Sequence, residues 1–235
     1  MSASKHAIGG NRILSTLVPA EYRRLRSILE PVVLNKSQTL YAPGDVINHI
    51  YFPDDAGVSL LFDVDERRTV EVAMEGNEGA VGFAICMGGV TSCNLSIVRE
   101  AGTAQRLEVN SLKRFTNQSN GLSGLLEKYV HALINQVARS GVCNRFHKVD
   151  ARVARWLLMT QDRLESNEIC ATQESIAGAL GVRRSSVTAA ASGLHRQNII
   201  HYARGRIEIL DQRGLHAASC ACYGFMKRQY DSFLD

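Results

Sequence analysis

Proline is scarce in this chain, four residues in 235, and no low-complexity tract occurs. That leaves a sequence long enough for one large domain or two ordinary ones, each with its own core. Long apolar runs are also missing. The longest uncharged stretch, around GAVGFAICMGGV, is broken by glycines and too short to span a bilayer. The opening residues, MSASKHAIGGNR, contain no apolar signal core, so the expectation is a cytoplasmic protein without a membrane partner. There is no P-loop, no G-x-G-x-x-G, no H-E-x-x-H and no G-x-S-x-G, which argues against an enzyme and gives no catalytic residue to name. Gly76, Gly79 and Gly82 read as turns rather than as a phosphate cradle.

Six cysteines are present, scattered rather than spaced as a framework, which fits reduced thiols. Cys86, Cys93, Cys143 and Cys170 read as small apolar or incidental residues. Cys220-x-Cys222 with His216 nearby lacks a recognised ligand spacing, so neither a metal nor any other cofactor is expected. Charge is uneven. Residues 1–135 hold 13 Lys and Arg against 14 Asp and Glu, whereas residues 136–235 hold 14 against 9. A basic excess confined to the C-terminal part raises the odds of a nucleic-acid partner there.

A short amphipathic helix is expected over residues 19–29, with Pro19 in its first turn and Tyr22, Leu25, Ile28 and Leu29 sharing a face. From about Val32 to Val109 the pattern changes to short strand-like runs separated by turn residues: Pro43, Gly44 and Asp45, then Asp54, Asp55 and Gly57. This spacing predicts a compact β-sandwich or roll. Helical periodicity follows. Leu126, Val130, Leu133 and Val137 recur at alternating four- and three-residue steps, continued by Ser140 and Asn144. That is the seam of a helix pairing with a second copy, so a homodimer is expected. A further helix after Lys148 should bury Val153, Trp156, Leu157 and Leu158. The domains expected are a β-roll over 1–120, a dimerisation helix over 121–147 and a DNA-binding domain over 148–235.

The stretch QESIAGALGVRRSSVTAAASGL carries a glycine where a single helix would lose about 1 kcal/mol relative to alanine. Two helices joined at Gly181 explain it: residues 174–180 and 184–195, packed through Ile176, Ala177, Leu180, Val182, Val187 and Ala190. Thr172 would cap the first helix, with Gln173 beside it. Arg183, Arg184, Ser185 and Ser186 open the second helix, and Thr188 and Ala189 lie one turn on. Arginine there can donate two hydrogen bonds to guanine, and serine at a helix N-terminus suits either a cap or a phosphate. NIIHYARGRIEILD then reads as a small hairpin with Arg204 and Arg206 at its tip, suited to the phosphate backbone.

Taken in order, YAPGD and YFPDDAGVSLL, then HKVDARVARWLL and TQESIAGALGVRRSSV, this sequence resembles the Crp/Fnr superfamily of bacterial transcription regulators. The resemblance covers roughly residues 12–215. It implies an α+β chain with a cyclic-nucleotide-binding-like β-roll, a long dimerisation helix and a winged helix-turn-helix. It further implies a homodimer on a near-palindromic double-stranded operator, in contact with RNA polymerase. Members that bind cyclic nucleotides carry a Gly-Glu pair and an Arg-Ser pair in the roll. Here Glu78 precedes Gly79, Asn94-Leu95 stands at the arginine-serine position, and Val137-Ala138 replaces a threonine-serine pair on the long helix. Control by cyclic AMP is therefore not expected. An alternative is a roll that senses another small molecule and switches DNA binding. The iron-sulfur cysteine cluster of the oxygen sensors has no counterpart, because the first cysteine is Cys86. Relative to well-studied members, Arg184 matches the first recognition arginine, while Ser185 replaces a glutamate and Ala189 a later base-reading residue. A different operator follows.

Overall fold

Residues 10–65 and 68–234 are described by a computed structural model. It divides into two compact units. One lies within Met1–Leu60, Met74–Leu133 and Tyr230–Asp235, the other within Leu61–Ala73 and Ile134–Gln229.

The first unit opens with α1 (Arg12–Thr16) and α2 (Pro19–Arg26). Strands β1 (Glu30–Leu34), β2 (Thr39–Tyr41), β3 (His49–Pro53), β4 (Gly57–Asp65), β5 (Arg68–Glu75), β6 (Leu95–Glu100) and β7 (Gly102–Glu108) follow, with Leu61–Ala73 of β4 and β5 belonging to the second unit. They form two sheets, ordered β1-β7-β3 and β2-β6-β4-β5. Alternate residues of β3 and β6 are buried, the signature of strands with one face inward. Leu34, Tyr41, Val58, Val98 and Ala104, drawn from both sheets, meet in one cluster with Ile47 and Val81. This is the expected roll. Asp45 closes the first turn by accepting from the Ala42 N–H at 2.8 Å, with Gly44 at φ +90°. The strand anticipated after that turn shrinks to a single bridge between Val46 and Thr91.

Helix α2 stops at Arg26, earlier than its apolar spacing implies. Pro31 holds Glu30 extended, and Glu30 already pairs with Arg106 of β7, so the helix gives way to one last turn in which the Ile28 and Leu29 N–H groups close on Leu25 O. Ile28 is left exposed. After α3 (Val109–Thr116) comes the 27-residue α4 (Asn120–Phe146), part of which lies in each unit.

The second unit contains α5 (Val149–Leu164), β8 (Glu168–Ile169), α6 (Gln173–Leu180), α7 (Arg184–Arg196), β9 (Ile200–Ala203), β10 (Arg206–Ile209), α8 (Gln212–Ala218) and α9 (Cys222–Leu234), whose last residues belong to the first unit. The three strands pair in the order β8-β10-β9. Val153, Leu157 and Leu158 of α5 are buried with Ile176, Val187, Ile207 and Leu215 from the elements around it. Each such side chain contributes about 1.5–3 kcal/mol by leaving water. Trp156 departs from the expectation: it is only partly buried, because its indole N–H donates to Glu71 Oε1 at 3.1 Å.

Asn11 holds the start of the first unit. Its Oδ1 accepts from the N–H groups of Ile13 and Leu14, capping α1, while its Nδ2 donates to Pro53 O at 2.9 Å and Gly79 O at 3.0 Å. The side chain is fully buried. Asn11→Ala would remove the cap and strand two buried carbonyls, so stability should fall by about 2–4 kcal/mol. Urea unfolding measures this, and a loss below about 0.5 kcal/mol would contradict that role.

Candidate nucleic-acid interface

Two helices meet at Gly181. Thr172 caps α6, its hydroxyl accepting from Ser175 N–H at 3.0 Å, as expected of that residue. The helix ends because Gly181 turns left-handed at φ +62°, and its N–H and that of Val182 close on Gly178 O and Ala177 O. Any residue with a Cβ is strained in this conformation. Ile176, Ala177, Leu180, Val187 and Ala190 are buried between α6, α7 and α5, and Val182 packs beside them. With Val187 inward, Arg184, Ser185, Thr188 and Ala189 face outward and are exposed.

Arg183, also exposed, is the N-cap of α7 through its backbone and makes no side-chain cap bond. Ser185 and Ser186 therefore do not serve as the cap. Ser185 is open to solvent and Ser186 half-buried. Gln173 is half-buried and tied to α7: its Oε1 lies 2.6 Å from the Thr188 hydroxyl, which also reaches Arg184 O at 3.1 Å. Arg184 Nε stands 3.9 Å from Glu174 Oε2, both side chains well exposed. An ion pair this long and this wet holds the guanidinium weakly, leaving it available to another acceptor. Neither link was anticipated from sequence, although both are set by α6 packing across α7.

The hairpin of β9 and β10 turns on two residues, Arg204 at φ +50° and Gly205 at φ +79°. Positive φ at both positions is the geometry of a tight hairpin loop that matches strand twist. A Cβ placed on Gly205 would stand 3.5 Å from Thr172 Cγ2, so the hairpin tip lies beside the cap of α6. Exposed Arg204 and Arg206 thus share one edge with Thr172. The residues expected to contact nucleic acid are brought together on an outward, cationic surface. Arg196 and Arg213 are exposed in the same unit and were not singled out from sequence.

The expected seam on α4 is divided by burial. Leu126, Val130 and Leu133 are 2%, 6% and 4% exposed within a single chain, so they are already covered. Val137 and Asn144 are exposed and Ser140 is half-buried. Beyond Leu133 one face of α4 is occupied. Asn135 donates to Gln229, Gln136 accepts from Arg163 at 2.8 Å, and Arg139 sits 4.9 Å above the Phe225 ring. The opposite face carries Ile134, Ala138, Gly141 and Val142, all exposed.

In the roll, Asn94 is buried and its Nδ2 donates to Ser96 Oγ at 2.9 Å, with half-buried Leu95 beside it. Glu75 and Glu78 are buried as well, and the Tyr129 hydroxyl lies 2.5 Å from Glu75 Oε2. Burial, then the neighbouring carboxylate, keep that phenol protonated far above its ordinary range. Among the described residues no Lys or Arg is buried in the roll. A pocket of about 130 Å³ lies between Ile85, Cys86, Leu112 and Leu126. Burial pushes the Cys86 thiol up to about 11, which makes it a poor nucleophile at neutral pH.

The described cysteines are all free. Cys143, Cys220 and Cys222 are buried, whereas Cys93 and Cys170 are exposed. His216, the histidine nearest to Cys220 and Cys222 in sequence, instead sets its ring edge-on to Tyr223 at 5.4 Å. No described helix is long and apolar enough to cross a membrane.

Residues 151–218 match the family model of the Crp-like helix-turn-helix domain. No curated protein matches the sequence. Among solved structures, FixK2 from Bradyrhizobium japonicum is similar over 83% of this chain and 98% of its own, with a TM-score of 0.71 at 16% identity. TTHB099, a CRP-family regulator from Thermus thermophilus, is similar over 80% and 96%, with a TM-score of 0.67 at 19% identity. The c-di-GMP-responsive regulator CLP of Xanthomonas campestris is similar over 82% and 99%, with a TM-score of 0.67 at 14% identity. Residues 151–218 are therefore a Crp-like helix-turn-helix domain, in a chain whose fold is similar to those of FixK2, TTHB099 and CLP.

Proposed function

We propose that this protein is a homodimeric, sequence-specific DNA-binding regulator that reads a near-palindromic operator with α7. The observation that carries this reading is the outward row Arg184, Ser185, Thr188 and Ala189 at the start of α7, set beside a hairpin tipped by Arg204 and Arg206. In the major groove Arg184 releases Glu174 and donates both ends of its guanidinium to guanine O6 and N7. The Ser185 hydroxyl and the N–H groups at the start of α7 donate to a phosphate, and Arg183 and Thr172 lie where they can add to that grip. Arg204 and Arg206 follow the phosphate backbone. Contact with RNA polymerase completes the regulator's role, as in the superfamily it resembles. In this reading residues 148–235 carry the DNA contacts, 121–147 the dimer contact and 1–120 the roll.

The dimer forms along the open face of α4. Ile134, Ala138 and Gly141 make a narrow stripe with Val137 and Val142 at its flanks, and small residues let a second helix approach closely. The stripe is one position removed from Leu133, Val137 and Ser140 of the expected seam, with Val137 at its edge. The roll does not take cyclic AMP or cyclic GMP. The amide of Asn94 is committed to Ser96 and the Leu95 side chain offers no donor, so a cyclic phosphate finds no charge-assisted hydrogen bond there.

Three outcomes are expected. Arg184→Ala should cost about 1–3 kcal/mol and relax selectivity at one base pair per half-site, whereas Arg206→Ala should weaken all sequences alike and flatten the salt dependence. Binding selection across randomised operators separates the two. A uniform loss in Arg184→Ala would remove its base-reading role. Ile134 is 56% exposed in one chain, so Ile134→Glu should fold normally and sediment as a monomer. An intact dimer would place the interface elsewhere. Calorimetric titration with cyclic AMP or cyclic GMP should show no heat of binding, and micromolar affinity for either would overturn that part of the reading.

A further inference from the structure

Four potential metal ligands from distant parts of the chain converge within the second unit. Cys143 lies in the last turn of α4, and His147, four residues on, follows its end. Cys220 and Cys222 lie where α8 gives way to α9. The three sulfurs and one imidazole nitrogen all stand within 4.8 Å of one another. Cys143 Sγ is 3.5 Å from Cys220 Sγ, and Cys222 Sγ is 3.6 Å from His147 Nδ1.

These separations can be compared with what a metal requires. Zinc bonds of about 2.3 Å to sulfur and 2.0–2.1 Å to nitrogen, spread tetrahedrally, put sulfur about 3.7 Å from sulfur and about 3.5 Å from nitrogen. Both observed distances lie within about 0.3 Å of those values. A polynuclear iron-sulfur cluster would need its ligands further apart, around a body larger than one ion. Three buried thiolates and a half-buried imidazole, four protein donors in all, are the ligands of a structural zinc site.

Charge supplies a second, independent observation. Arg155 is 6% exposed, and its Nε has no hydrogen-bond partner among the described residues. Its Nη1 faces only the sulfurs of Met159 and Met226, at 3.3 and 3.6 Å. A buried guanidinium without an anion is costly. The same charge acts on the sulfurs of Cys143 and Cys220, so it stands beside the cluster. Three thiolates, a neutral imidazole and Zn²⁺ carry a net charge of −1, which is the counter-charge Arg155 lacks.

We propose that Cys143, His147, Cys220 and Cys222 bind one Zn²⁺ per chain, pinning the end of α4 to the start of α9. The ion closes a loop that contains α5, α6, α7, the β9–β10 hairpin and α8. Binding releases the thiol protons, and no electron is transferred.

The full-length protein, reduced and stripped of metal, is titrated with Co²⁺ as the spectroscopic probe. The expected result is a break at one Co²⁺ per chain, with a thiolate-to-cobalt charge-transfer band and the intense ligand-field bands of tetrahedral Co²⁺. Zn²⁺ should displace the cobalt and bleach both. In Cys220→Ser/Cys222→Ser the charge-transfer band should be lost, with circular dichroism reporting whether that variant folds. Weak octahedral bands in the wild-type protein, or no saturable binding of Co²⁺, would overturn the proposal. A charge-transfer band unchanged in the double variant would do the same.

Discussion

The left-handed turn at Gly181 determines which residues of α7 can reach a ligand. Because Gly181 sits at φ +62°, the chain leaves α6 and re-enters helix after three residues, and α7 crosses α6 through Val187 and Ala190. That contact fixes the rotation of α7 about its own axis, and hence presents Arg184, Ser185, Thr188 and Ala189 to solvent. A chain without this turn would run one long helix, and the basic residues would be distributed around it. The Gln173–Thr188 hydrogen bond and the hairpin tip against Thr172 hold the same arrangement from the exposed side.

How much of this was legible in the sequence depends on how local each demand is. The helix-turn-helix could be read because glycine, small residues and apolar residues are required at fixed offsets within some twenty positions, and tertiary context adds little to those requirements. The roll could be read from turn residues such as Asp45, which accepts from Ala42 three positions earlier, whereas the bonds of Asp54 and Asp55 to the backbone of Asn11 and Thr103 span more than forty positions. The end of α2 could not, since Leu25, Ile28 and Leu29 continue a helical period that strand pairing at Glu30 cuts short. The α4 seam was ambiguous for another reason. Leu133 and Ile134 are adjacent apolar residues on neighbouring faces, and periodicity cannot say which one the chain's own core covers.

The cysteines show the same limit at longer range. Sequence proximity joins Cys220 and Cys222 to His216, but α8 turns that ring toward Tyr223. The groups that do meet them, Cys143 and His147, lie more than seventy positions earlier, and only the packing of α5 and α9 brings them together. Ligand spacing alone carries no signal of this kind. The three buried arginines of α5, Arg152, Arg155 and Arg163, are a weak sequence clue, because a helix that buries guanidinium groups needs acceptors or counter-charge close by.

The central claim is that two copies of α7 read DNA together. Hydroxyl-radical footprinting of the purified protein on a selected near-palindromic operator tests it most directly. The account predicts two symmetric protected patches on one face of the duplex, their centres about 34 Å apart, flanked by weaker protection where the Arg204–Gly205 hairpins follow the backbone. A single protected patch at saturating protein, or two patches on opposite faces of the duplex, would contradict it.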